Sequence, residues 1–520
     1  MKNFFSRVSR ITLEDWLTYH PYDKEVPSDQ YYIRLCNDIQ QEIIHNDVGN
    51  YFIESDYQQL SYMLTCYFED INSQAGVWLS FIEENKTLYG KYLPFYDTVS
   101  NYTCGEVNKA DIQFLIWHFV SNLPGNEHLT DPYSIDHESM ADLVYDILLR
   151  ETAKVPNDQL KDLLILPEKA DVPSMKRLME YFFFGSYLNH YYMATLKEEA
   201  FLELKNQKGI NKRNISYYAQ NKQDDLLFNY VSPLLAQHAG VILANRLDGS
   251  HSRYSLLKSV SERKEGFFRY KNTTAATMRF EHIASGITIG VTLKSMQHTG
   301  HSFVPDVTVI RMGVVQWGEE WWMTGNYIVE DHPGKIKITE GEKYLFAPLA
   351  SQIQIIRKQD KCFLEINSNK PLAFFNRKKD VFSLIDQVWD LYHETYGSEE
   401  LDRKLFDIHG ITFGIDDDLE NITVFFNPDT GMEFYPDIAS CIADKENPFF
   451  ENVEADIEEF LFNNNYSSNF VAYLIENQLI EIEPILSEGG FQYVWNNCDF
   501  LLRYYKREFY KGKPKLYEEW

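Results

Sequence analysis

From Thr12 to about residue 240, apolar side chains recur at three- and four-residue spacings, the signature of helices that bury one face. Thr12-Leu-Glu-Asp15 fits a capping box that opens a short helix at Trp16, and His20-Pro21 stops it. Ser28, after Pro27, caps a longer helix with Tyr32, Leu35, Cys36, Ile39 and Ile43 on one face. The next stripe, after Ser55, is Leu60, Met63, Leu64, Tyr67, Phe68 and Ile71, and another helix spans Val77 to Leu88 around Trp78, Phe81 and Ile82. Asn108 and Asp111 start a segment carrying Phe114, Leu115, Trp117, His118 and Val120. A helix follows from about Ser134 to Thr152, and Pro173-Ser174 opens one that runs through Met175, Leu178, Phe182 and Leu188 toward His190. The stripes share no fixed period, so this is helix-on-helix packing and not a repeat solenoid.

After about Ser250 the pattern changes to short β-branched and aromatic runs: Thr277 to Ile283, Ile287 to Leu293, Val307 to Trp317, Trp321 to Val329 and Ile336 to Ile338. Gly318-Glu319-Glu320 reads as a hairpin turn, and Tyr344 to Leu364 has the content of two further strands. A small antiparallel sheet or partly closed barrel is expected. Beyond the Asn367 to Lys370 turn, a helix is expected over Lys378 to Tyr396, strands at Ile411 to Phe413, Ile422 to Phe426 and Met432 to Tyr435, and helices at Val453 to Phe462, Ser468 to Glu476 and Asn497 to Glu508. The chain is therefore read as multidomain α+β: a helical domain over 1–250, an antiparallel β-rich domain over 251–366 and a mixed α+β domain over 367–520.

Composition narrows the function. Of the 520 residues, 44% are apolar and 24% charged, as in ordered globular chains. The net charge of −28 argues against a general surface for nucleic acid or anionic membrane, because phosphate binding relies on Lys and Arg displacing counterions. The cysteines at 36, 66, 104, 362, 441 and 498 are widely spaced without a CxxC, and no signal peptide or membrane-length apolar run is present. A cytoplasmic protein is expected.

No motif names a reaction. His118 and His190 follow apolar stripes and read as hydrogen-bonded structural residues, although either could reach Cys66 or an acidic side chain in a folded bundle. His298 and His301 flank a loop beside Ser302 and are the candidates for a general base. Asp416, Asp418 and Asp429 lie in the densest acidic region and are the candidate ligands for a hard divalent cation. That acidic run reads first as a solvated turn, and Glu69-Asp70 after the Leu60 helix invites the same caution. Trp321 and Trp322, next to Trp317, are the candidate contacts for a ligand or protein partner, with strand alternation placing some of these rings in the core. Gly286-Ile-Thr-Ile-Gly290 lacks the lysine and helix of a phosphate loop, and GxSxG is absent.

The combination of Asp15-Trp16-Leu17, His20-Pro21-Tyr22, Asp29-Gln-Tyr31-Tyr32, Leu64 to Asp70, Leu88 to Tyr96 and Phe114 to His118 resembles a domain-of-unknown-function family found in Bacteroidetes. The resemblance covers roughly residues 12–150, with Phe426 to Gly431 and Glu433 to Pro436 as further points of likeness. It implies a bacterial cytoplasmic origin and supplies no activity or binding residue. The expected function is therefore intracellular binding of a protein or small ligand through a domain crevice, without a cofactor, and with Trp321 and Trp322 as contacts. The alternative is a divalent-metal-assisted hydrolase using Asp416, Asp418 and Asp429 with His298 or His301.

Overall fold

The computed structural model describes residues 9–511 apart from 47–51, 99, 127, 152–154, 207–214, 297–302, 347–348, 398–419 and 483–489. Internal contacts divide the chain into two units, residues 1–263 with 315–326, and residues 264–314 with 327–520.

The first unit is built from helices α1 (Leu13–Leu17), α2 (Asp29–Asn46), α3 (Glu54–Ser73), α4 (Val77–Tyr89), α5 (Lys109–Ser121), α6 (Ile135–Arg150), α7 (Asp158–Leu164), α8 (Val172–Glu180), α9 (His190–Asn206), α10 (Ile215–Asn229), α11 (Ala239–Asn245) and α12 (Tyr254–Lys258). The expected capping box of α1 is present, with Thr12 Oγ1 accepting from the Asp15 amide and Asp15 Oδ2 accepting from the Thr12 amide. Helix α3 is central: 14 of its 20 residues are buried, so it lies wholly inside the bundle instead of along its rim. Aromatic rings fill much of the space around it, among them Trp16, Trp78 and Trp117, each at most 1% exposed.

The sequence suggests one continuous helix from Pro173 toward His190. Instead α8 passes into a π-helical turn over Tyr181–Gly185, and the chain breaks at Ser186 before α9 begins. The π turn turns Phe182, Phe183 and Phe184 into the core together, a placement that a single 3.6-residue stripe does not allow. Asn189 and Ser186 hold the break by donating to the Phe182 carbonyl at 3.0 and 2.8 Å.

Strands β1 (Lys264–Thr273), β2 (Thr277–His282), β3 (Thr288–Thr292), β4 (Val309–Trp317) and β5 (Glu320–Val329) close into a barrel in the order β1-β2-β3-β5-β4. Of the small antiparallel sheet or partly closed barrel expected from sequence, the structure has a closed barrel, and its first strand was not evident in the hydrophobic pattern. In β1 the buried residues alternate at Gly266, Phe268 and Tyr270, as a pleated strand with one interior face requires.

The remainder of the second unit contains α13 (Glu340–Tyr344), α14 (Leu349–Ile366), β6 (Leu372–Arg377), α15 (Lys378–Tyr396), β7 (Glu420–Asn427), β8 (Gly431–Tyr435), α16 (Ile457–Phe462), α17 (Ser468–Glu476), α18 (Gly490–Asn496) and α19 (Cys498–Tyr505). β6, β7 and β8 form an antiparallel sheet in that order. Ile422, Val424 and Phe426 of β7 face the core made with α14 and α15, whereas Phe425 on the opposite face meets Phe470 and Tyr473 of α17. Both faces of β7 are covered, which explains its continuous apolar run.

Two expectations are corrected here. The strands anticipated between Tyr344 and Leu364 are a helix, α14, because Ile355, Gln359, Cys362 and Phe363 bury at helical spacing and the intervening Arg, Lys and Gln favour helix. Ile336 to Ile338 forms no strand, since a 3-10 turn at Pro333–Lys335 and the Thr339 cap of α13 leave too few free residues. The expected strand at Ile411 to Phe413 lies outside the described residues.

Burial of polar groups in the first unit carries two consequences. Gly325 adopts φ +65°, and a Cβ there would stand 2.7 Å from Asn221 Oδ1. Asn221 Oδ1 accepts from the guanidinium of Arg263 at 2.5 Å, Arg263 Nε donates to Thr324 Oγ1 at 2.9 Å, and Arg263 is 3% exposed. Gly325→Ala therefore combines backbone strain with intrusion into a buried network, and is expected to cost about 3 kcal/mol in chemical denaturation. Asp111, fully buried in the first turn of α5, accepts from Tyr67 at 2.7 Å and from Asn108 at 3.3 Å. Burial outweighs these donors and pushes its carboxyl up to about 7. Between its unfolded value near ~3.9 and about 7 the folded state binds a proton that the unfolded chain does not, so this residue's contribution to stability falls as pH rises across that window. Denaturation at a series of pH values should show Asp111→Asn losing that decline relative to the parent protein.

Candidate metal centre

Three side chains of the first unit converge at the end of α1 and the middle of α3. His20-Pro21 ends the α1 turn, and the His20 ring folds back so that Nδ1 lies 2.9 Å from the Trp16 carbonyl oxygen, one of the acceptors a helix C-terminus leaves unmatched. A carbonyl only accepts, so Nδ1 carries a hydrogen and Nε2 faces α3. Cys66 and Glu69 stand three residues apart on α3, hence on one face. His20 Nε2 is 2.7 Å from Glu69 Oε2, with both side chains at most 2% exposed. The donor atoms of His20, Cys66 and Glu69 all lie within 4.8 Å of one another, a group able to hold a metal ion.

A chain of hydrogen bonds fixes the carboxylate. Glu69 Oε1 accepts from Asn157 Nδ2 at 2.8 Å, and Asn157 is itself anchored as the N-cap of α7, its Oδ1 accepting from the Leu160 amide. Asn157 Nδ2 also donates to Tyr22 Oη at 2.8 Å, which donates to Asp29 Oδ1 at 2.9 Å. Asp29 receives further hydrogen bonds from Trp16 Nε1 and the Val26 amide. Each polar atom along this path thus has a partner of the right kind, as buried groups require. Such outer partners orient ligand side chains in metal sites.

Electrostatics set the resting protonation. Burial disfavours the imidazolium of His20, but the charge and hydrogen bond of Glu69 outweigh it, and the net effect raises the His20 pKa. Burial, helped by Glu69, pushes the Cys66 thiol well above its usual range. These effects favour the protonated form of the His20 ring and the neutral thiol of Cys66.

Beside it lies a small cavity of about 10 Å³ lined by Tyr19, His20, Cys66, Glu69, Asp70, Val77, Leu160, Tyr181 and Tyr187. Asp70, next to Glu69, is not drawn into the triad. It accepts from the Gly76, Val77 and Trp78 amides at 2.6–3.1 Å, capping α4, and from Tyr187 Oη at 3.0 Å. Arg246 closes the neighbouring loop, donating to the Ala75 and Leu164 carbonyls.

The residues singled out by sequence lie elsewhere or outside the described set. His298, His301, Asp416 and Asp418 fall among the residues not described. Asp429 is exposed in the β7–β8 turn, where its Oδ2 accepts from Asn469 at 2.8 Å. Trp322 is 8% exposed and Trp321 half-buried on β5, and neither lines the cavity at His20. His118 is a buried structural histidine, with Nε2 3.0 Å from the Leu188 carbonyl oxygen. Sequence reasoning placed His20 as a helix stop and Glu69 in an ambiguous acidic pair. The available signal was the Cys66-x-x-Glu69 spacing on an apolar helix, where a carboxylate has no solvated face to occupy.

The fold and this group define a multidomain α+β protein whose helical unit encloses a mixed nitrogen, sulfur and oxygen donor set. A family described as protein of unknown function (DUF3843) matches residues 10–283, and the chain belongs to that family. The match takes in the whole His20, Cys66 and Glu69 group and ends before the Phe426 to Pro436 segment. No curated protein and no solved structure matches the chain. Among the described residues no helix is long and apolar enough to cross a membrane.

Because the raised His20 pKa depends on Glu69, the pair stabilises the fold below the unfolded histidine value near ~6.5, and that contribution disappears as pH rises through the folded value. Glu69→Gln should move the His20 titration to lower pH by NMR and remove this stabilisation.

Proposed function

We propose that the helical unit binds a divalent transition metal through His20 Nε2, Cys66 Sγ and Glu69. The observation that carries this reading is the buried convergence of three donor atoms within 4.8 Å. An imidazole, a thiolate and a carboxylate suit zinc among the biological divalent ions, and tetrahedral zinc spaces its ligand atoms about 3.3–3.6 Å apart. The 2.7 Å separation of His20 and Glu69 is a hydrogen bond, which a metal would replace by opening the pair by less than ~1 Å. Charge balance also favours exchange. Imidazolium, carboxylate and thiol sum to zero, as do a divalent ion, imidazole, carboxylate and thiolate. Loading the site therefore releases protons without leaving a net charge in an apolar interior.

A second reading, metal-assisted hydrolysis, draws on the adjacent cavity. Three protein ligands leave a tetrahedral ion one position, and about 10 Å³ is the space a single water needs. Metal-bound water is the nucleophile of zinc hydrolases. Here the cavity accepts that water and no organic substrate, so turnover requires the surrounding tyrosines to move aside.

Titration of chelated protein with zinc should reveal one tight site per chain with proton release that depends on the buffer's ionisation enthalpy. Cys66→Ser and His20→Ala should each weaken binding at least about a hundredfold. Binding that is unchanged in both variants would exclude this site. Zinc-dependent cleavage of an activated ester by the parent protein, absent in His20→Ala, would separate the hydrolytic reading from metal binding alone.

A further inference from the structure

Among the described residues, one side of α9 is left uncovered. Only Met193 and Ala200 of its 17 residues are buried, while His190, Ala194, Lys197, Phe201 and Lys205 recur at four, three, four and four residues and so share a face. That face lines an open groove of about 780 Å³ completed by the π turn, through Tyr181, Phe184 and Gly185, and by Thr18. The volume lies within the range that small-molecule sites occupy.

The groove's polar lining includes His190, Lys197, Lys205 and Gln223, with Glu180 and Glu198 at its rim. Lys197 is half-buried and forms no ion pair among the described residues, its ammonium standing 5.6 Å from the Phe184 ring centroid. His190 Nδ1 is buried without a hydrogen-bond partner, and the His190 ring packs 4.4 Å from that of Tyr19. Burial lowers the His190 pKa and the Lys197 charge adds to it, against a hydrogen bond to the Phe184 backbone that raises it, so the neutral imidazole is favoured. Of the two acids at the rim, Glu180 is already bound by Lys176 at 2.6 Å and Glu198 is exposed. Ala194, a small residue between His190 and Lys197, keeps the floor open.

We propose that this groove binds a small amphipathic anion, a carboxylate or sulfonate whose acidic head meets Lys197 and His190 and whose apolar body lies on Phe184, Phe201 and Tyr181. On a chain with net charge −28, a groove with half-buried Lys197 over the Phe184 ring and Lys205 on the same face is a place where such a ligand escapes the general repulsion. Tyr181 lines both this groove and the small cavity beside Cys66, so the ligand sits one side chain from the proposed metal position. The groove itself does not require a metal.

The test uses the full chain in the presence of a chelator, with fluorescence titration of 8-anilinonaphthalene-1-sulfonate and of its neutral counterpart N-phenyl-1-naphthylamine. One saturable sulfonate site per chain is expected. Lys197→Gln should weaken the sulfonate roughly fivefold to tenfold and leave the neutral probe unchanged, whereas Ala194→Phe should weaken both by more than about tenfold. Melting temperatures of the variants verify folding, and Ala194→Leu replaces Ala194→Phe if the larger ring lowers it. The proposal is overturned if the sulfonate fails to saturate, if filling the groove at Ala194 leaves binding intact, or if Lys197→Gln affects both probes alike.

Discussion

A carboxylate buried in an aromatic helical core must be met by donors, and the first unit is organised around that requirement. Asp29, Glu69, Asp70 and Asp111 are each at most 3% exposed. Asp70 is answered by three amides at the start of α4, and Asp29 by an indole, a phenol and an amide. These bonds fix where α4 begins and how the segment after α1 enters α2. Helix ends, usually exposed to water, become the fixtures that allow acidic groups inside.

Glu69 stands apart because a histidine and a thiol share its surroundings. Its two oxygens are divided between Asn157 and His20, so the histidine is the member that a cation could displace from hydrogen bonding without leaving the carboxylate bare. The same geometry that stabilises a proton between His20 and Glu69 prepares a metal site. Stability and binding draw on one arrangement, with pH deciding which occupant competes.

The π turn at Tyr181–Gly185 links the two features of this unit. By inserting an extra residue into the α8 spiral it directs three phenylalanines inward and leaves Tyr181 between the metal-competent cavity and the open groove along α9.

Local pattern alone settled most of the helices: the Thr12 capping box, the His20-Pro21 stop, the start of Val77–Tyr89, the limits of Ser468–Glu476, and the order of helical, β-rich and mixed regions along the chain. These follow from periodicity and capping, which act over a few residues. Where β-branched content competed with periodicity, as in Leu349–Ile366, spacing proved the better guide. The joining of His20 to Cys66 and Glu69 could not be read in the same way. It depends on the turn after α1 bringing His20 to α3 across a separation of 49 residues, and on a buried acid choosing one partner among many. Sequence supplied the donors; only tertiary packing, by excluding water from Glu69 and placing a histidine within 2.7 Å of it, made them a site.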